Sequence, residues 1–138
     1  MQSFFLIELK AEMADLEKAD RMIAEFAHAN SWSEETLFQI RLVLEEIMIN
    51  VISHGSNGLE TPQISLRLGQ DNGIITMAIA DNGKPYDPLS APPPDIDSAL
   101  DDRPIGGLGV YLVRQLMDDV SYCHEREWNK LTLTKAIS

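Results

Sequence analysis

Basic residues, cysteine and long apolar runs are scarce in this chain, and each scarcity closes off a class of protein. Eleven Lys and Arg stand against 22 Asp and Glu, a formal net charge of −11. The cationic surface with which proteins neutralise nucleic-acid phosphates is therefore lacking, and nucleic acid is not an expected partner. An anionic ligand must instead be held by backbone dipoles, a cation or a few basic side chains. The acidic surface would repel anionic membranes and favour a basic protein partner. The lone cysteine, Cys123, permits no intramolecular disulfide and fits a reducing compartment, the cytoplasm by expectation. Its strand-like surroundings predict a small packed side chain rather than a nucleophile. No apolar run approaches the roughly 18 residues of a membrane span. The run from Met1 to Ile7 is too short, and has no basic residues before it, for a signal peptide. No Cys/His cluster has zinc spacing: His28 and His124 read as surface residues and His54 as a structural helix end.

What is present describes one folded domain spanning 1–138. With 138 residues and 44% hydrophobic content, the chain can bury a core without staples. Ser3 to Leu9 is β-prone. Met13 to Asn30 spaces Met13, Leu16, Ile23, Phe26 and Ala27 as a helix does. Ser33 before Glu34 and Glu35 is a helix start, and Leu37, Ile40, Val43, Leu44, Ile47, Met48 and Val51 make a broad apolar stripe ending near His54-Gly55. Ile64, Leu66 and Leu68, a turn at Asp71-Asn72-Gly73, then Ile75, Met77 and Ile79 predict two antiparallel strands. From Asn82 to Ile105 the chain is rich in Pro and Asp without a period, the mark of a functional or disordered loop. Gly107 to Asp118 reads as a helix. Val120–Glu125 and Lys130–Ile137 read as a final hairpin turning near Glu127-Trp128-Asn129. The order β, α, α, β, β, loop, α, β, β predicts an α+β fold, with helices packed on one face of a mixed, largely antiparallel sheet.

Three segments carry chemistry. Glu46 and Asn50, four apart in the second helix, lie on one face. A carboxamide oxygen suits Mg²⁺ and a neighbouring carboxylate suits proton abstraction, although Asn50 bonding a nearby loop with Glu46 solvated would place the same residues. Asp81-Asn82-Gly83 closes a strand. Its Asp can accept a hydrogen bond from a base amino group while Gly83 lets a ring approach; a plain Asx turn fits it equally. Gly106-Gly107-Leu108-Gly109 runs into an amphipathic helix, which gives backbone donors and a positive dipole end to an anion, or simply a flexible helix start.

Taken together, Glu46-x-x-x-Asn50 with His54-Gly55, then Asp81-x-Gly83-x-Pro85-Tyr86-Asp87-Pro88, then Gly106-Gly107-Leu108-Gly109 with Leu112-Val113 and Leu116-Met117-Asp118, resemble the N, G1 and G2 boxes of the GHKL (Bergerat-fold) ATPases. More narrowly, the chain resembles the stand-alone anti-sigma factor serine/threonine kinases of bacterial partner switching. The resemblance implies a two-layer α/β sandwich that binds ATP with Mg²⁺, phosphorylates a STAS-domain anti-anti-sigma protein and sequesters a sigma factor, in a family whose members commonly form homodimers. By position, Glu46 matches the general base, Asn50 the Mg²⁺ ligand, Asp81 the adenine-amino acceptor and Gly83 the glycine beneath the base. Gly107 and Gly109 match the phosphate-loop glycines, with Gly106 and Leu108 beside them, and residues 82–106 the ATP lid. The chain departs from the family at two places. Ile105 stands where relatives often carry a basic residue, with Arg103 two positions earlier as the alternative γ-phosphate partner or a solvated lid charge. A Thr that helps hold adenine near the start of the last strand is replaced by Asn129 and Lys130, with Thr132 further on, which leaves that contact unassigned. Two other functions remain compatible with the residues: a non-catalytic, nucleotide-dependent protein-binding module, and a histidine-kinase catalytic domain acting in trans.

Overall fold

The computed structural model describes residues 3–54, 61–85 and 107–137. Strand β1 (Ser3–Lys10) leads into helices α1 (Met13–Ala29) and α2 (Glu34–His54). After these come β2 (Gln63–Asp71), β3 (Ile74–Asp81), α3 (Gly107–Leu116), β4 (Asp119–Glu125) and β5 (Trp128–Ala136). The strands form one sheet in the order β1-β2-β3-β5-β4, and every pairing among them is antiparallel. The fold is thus α+β as expected, with no parallel pair among the described strands.

Local chemistry accounts for the element ends. Ser33 caps α2, its Oγ accepting the Thr36 N–H at 3.1 Å, and Glu34 and Glu35 sit at the positive end of the dipole. At the end of α1, Trp32 N–H donates to Ala27 O and Ser31 N–H to His28 O, the two bonds of a Schellman turn, with Ser31 at φ 56°. The Trp32 ring packs edge-on to Phe26, 5.6 Å between centroids. Lys135 Nζ donates to the Leu116 carbonyl at 3.0 Å, a cation on the negative end of α3. Asn72 (φ 52°) and Gly73 (φ 77°) make the tight turn between β2 and β3. The last hairpin turns at Arg126 (φ 53°) and Glu127 (φ 68°) rather than at 127–129, so Trp128 and Asn129 belong to β5.

One face of the sheet carries the core. Leu9, Ile64, Leu66, Leu68, Ile75, Met77, Ile79, Leu131 and Leu133 are buried there against Leu16, Ile23 and Phe26 of α1, Ile40, Val43, Leu44, Ile47, Met48 and Val51 of α2, and Val113 of α3. Each such side chain contributes about 1.5–3 kcal/mol of burial, which is what fixes the strand register. Met13, expected on the apolar face of α1, is exposed. Cys123, expected to be packed, is also exposed: β4 is an edge strand, and Cys123 pairs with exposed Lys130 on the sheet face turned away from the helices.

Candidate functional site

At one end of the inner sheet face the apolar core gives way to polar residues on β3, β5 and β4. Pairing places Leu9, Ile64, Asp81, Asn129 and His124 side by side across the five strands. Asp81 and Asn129 are both buried there. Asp81 Oδ1 accepts the Gly83 N–H at 3.0 Å and an Asn129 Nδ2 hydrogen, also at 3.0 Å. The Asx turn therefore forms, and it leaves Oδ2 without a hydrogen bond from the described residues. Burial pushes the Asp81 carboxyl above its ordinary range, opposed by the bonds from Asn129 and Gly83 and by the charge of His124. Gly83 is itself buried. Asn82 seals the strand end by accepting the Gln63 N–H at 2.7 Å and returning its own N–H to Gln63 O.

On α2, Glu46 is half-buried and Asn50 buried, one turn apart as the spacing requires. Asn50 Oδ1 is a buried acceptor with no hydrogen-bond partner. An unpaired buried carbonyl oxygen costs on the order of 1–3 kcal/mol, so this one is a ready acceptor for a ligand. Burial, and then the charge of Glu45, raise the Glu46 pKa. Among the described residues no group of three or more His, Cys, Asp or Glu is placed to hold a metal. Mg²⁺ needs no such cage, since it takes one or two protein oxygens and completes its shell with phosphates and water. The orphaned Asn50 oxygen fits that donor set.

Helix α3 packs on α2. It begins at Gly107, so Gly107, Leu108 and Gly109 form its first turn. Arg103, Gly106 and all but the first four residues of the expected lid at 82–106 lie outside the described residues. The residue that sequence reasoning left without a role is Asn129. The predicted turn at 127–129 hid it, and only the β3–β5 register brings it opposite Asp81.

A single layer of helices on an antiparallel sheet, an acid and an amide one turn apart on the central helix, and an Asp-x-Gly turn at a strand end are together the arrangement of a histidine kinase-like ATPase domain. The chain belongs to that family: its model, described as histidine kinase-like ATPase domain, matches residues 9–135. The chain is similar to the serine/threonine-protein kinase BtrW of Bordetella bronchiseptica, 34% identical over 128 residues, covering 93% of this chain and 90% of that one. It is also similar to the serine-protein kinase RsbW of Bacillus thuringiensis, 26% identical over 119 residues, covering 83% and 73%. The crystal structure of the RsbU and RsbW domains of a Mycobacterium tuberculosis protein superposes with a TM-score of 0.68 at 14% identity. That match covers 98% of this chain but 32% of the other, and it speaks to the fold alone.

Proposed function

We propose that this protein is an ATP-dependent serine/threonine kinase and anti-sigma factor that phosphorylates a STAS-domain anti-anti-sigma protein in a partner switch, acting in the cytoplasm and as a homodimer. The names of its curated relatives support kinase activity. The observation that carries the chemistry is the buried, unpartnered Asn50 Oδ1 one helical turn from Glu46.

In this reading the Asp81 Oδ2 accepts the adenine 6-amino hydrogen, and Gly83 lies under the ring. The N–H groups of the first α3 turn, Gly107 to Gly109, face the phosphates, with Gly106 and Arg103 on the lid side. Asn50 holds Mg²⁺ through Oδ1; when bound, the cation supplies positive charge to the nucleotide phosphates. Glu46 takes the proton from the attacking seryl hydroxyl. The seryl Oγ–P bond forms as the bond from the γ-phosphorus to the bridging oxygen breaks, and ADP departs. A pKa raised by burial and then by the charge of Glu45 makes Glu46 a stronger base than an open carboxylate. The test is to incubate the chain with ATP, Mg²⁺ and its cognate STAS-domain protein and to map phosphate by mass spectrometry. Phosphoserine or phosphothreonine on the partner is expected. Nucleotide-dependent binding without transferred phosphate would reduce the chain to a binding module, and phosphohistidine would make it a histidine kinase.

A further inference from the structure

The polar row that ends the inner sheet face continues past Asp81. Asn129 Nδ2 donates to Asp81 Oδ1 at 3.0 Å and to the Lys84 carbonyl at 3.1 Å, with Gly83 O at 3.4 Å. Its Oδ1 accepts the Tyr122 hydroxyl hydrogen. One amide orientation satisfies all of these. Turned over, the amide would set its oxygen against a carboxylate and two carbonyls, and its NH₂ against a hydroxyl. Asn129 is 5% exposed and Asp81 8%, so little water is available to replace a lost bond. Tyr122 comes from β4, Asn129 from β5 and Asp81 from β3, and cross-strand pairing sets Asp81 opposite Asn129.

We infer that Tyr122 and Asn129 are positioning residues for purine choice, a Tyr122–Asn129–Asp81 chain that holds the base-reading carboxylate with Oδ1 engaged and Oδ2 presented to an exocyclic amino group. The inference rests on the nucleotide reading of Asp81. The physical need is directional. A carboxylate free to rotate can offer an oxygen edge in many poses and can turn away from a 6-oxo group. One pinned at Oδ1 from two sides accepts from a 6-amino group and repels a 6-oxo oxygen. Asn129 also ties the carbonyls of Gly83 and Lys84, at the start of the loop after β3, to the same carboxylate. Base recognition and the entry of that loop are thereby held by one side chain. The Tyr122 hydroxyl adds a hydrogen bond at the amide oxygen, so the amide that the carboxylate and the two carbonyls orient is held from both ends.

The test uses Tyr122→Phe and Asn129→Ala in the full chain, with calorimetric affinities for ATP and GTP, KM and kcat for phosphate transfer, and thermal melting. Tyr122→Phe keeps the ring that packs against the core. It should melt as the parent does yet bind ATP about three- to tenfold more weakly, the loss of one hydrogen bond in a buried relay. Its GTP affinity should be unchanged, and the loss should appear in KM with kcat retained. Asn129→Ala should lose about tenfold or more for ATP and most of the ATP-over-GTP preference. Tyr122→Phe with parental ATP affinity and parental preference overturns the inference, as does a loss equal for both nucleotides. If the parent itself binds no ATP, the nucleotide reading of the site falls and takes this inference with it; binding by the parent that neither variant alters removes only the inference.

Discussion

At Asp81 the two carboxylate oxygens have different work, and a single-atom change exposes it. Oδ1 accepts from both Gly83 and Asn129, and in the proposed function Oδ2 is the oxygen left for the base. A carboxamide has one acceptor oxygen and must fail on one side or the other. Asp81→Asn should therefore weaken ATP by about 1.5–3 kcal/mol, roughly ten- to hundredfold, the loss of a charge-assisted bond. Calorimetry on a variant with unchanged melting checks it, and equal affinities would remove Asp81 from the base contact. Glu46, Asn50 and Asp81 were each visible in the sequence as a residue type at a suggestive spacing. Asn129 was visible only as one of the residues standing where relatives carry an adenine-holding Thr, its contact unassigned, because its role depends on which strand β5 joins and in what register. That pairing is made by side chains dozens of residues away, and no local pattern around position 129 records it.

Elements were the more legible level, for a simple reason: caps, turns and apolar periods are local. Ser33 capping α2 and Asn72-Gly73 turning β2 into β3 follow from nearest neighbours. The final hairpin defied this because Arg126 and Glu127 occupy left-handed backbone that usually goes to Asn and Gly. A non-glycine residue there stores about 1–3 kcal/mol. Glu127→Gly should accordingly raise the urea midpoint by the equivalent of about 0.5–1 kcal/mol, after the entropy that glycine adds to the unfolded chain; a lowered midpoint would show that the turn is not strained.

The packing of α1 on α2 carries a second prediction. Burial and the neighbouring Glu45 carboxyl push Asp20 up to about 6, against the pull of Arg41, whose Nε lies 3.7 Å from Asp20 Oδ1. A carboxyl whose folded pKa exceeds its unfolded value of 3.8 binds its proton more tightly in the native state. Its stabilising contribution is present in acid and lost as pH rises through about 6. Asp20→Asn should remove that slope and raise stability at neutral pH, on the order of 1 kcal/mol after solvent screening. Urea midpoints at acid and neutral pH decide it: a parallel shift at both would contradict the titration.

At the scale of the molecule, sheet order decides function. Placing β5 between β3 and β4 brings Asn129 beside Asp81 at one end of the apolar face. Helix α3, which begins at the glycines, packs on α2, the helix that carries Glu46 and Asn50. In the proposed function, the net charge of −11 leaves it to these local donors to hold an anionic nucleotide that the surface as a whole would repel. Phosphoryl transfer by Glu46 is the central claim, and the direct measurement is the rate of phosphate transfer from labelled ATP to the STAS-domain partner by the parent and by Glu46→Ala, with ATP affinity measured alongside. Transfer should fall by about two to four orders of magnitude while ATP binding stays nearly intact. An undiminished rate in Glu46→Ala would contradict the account.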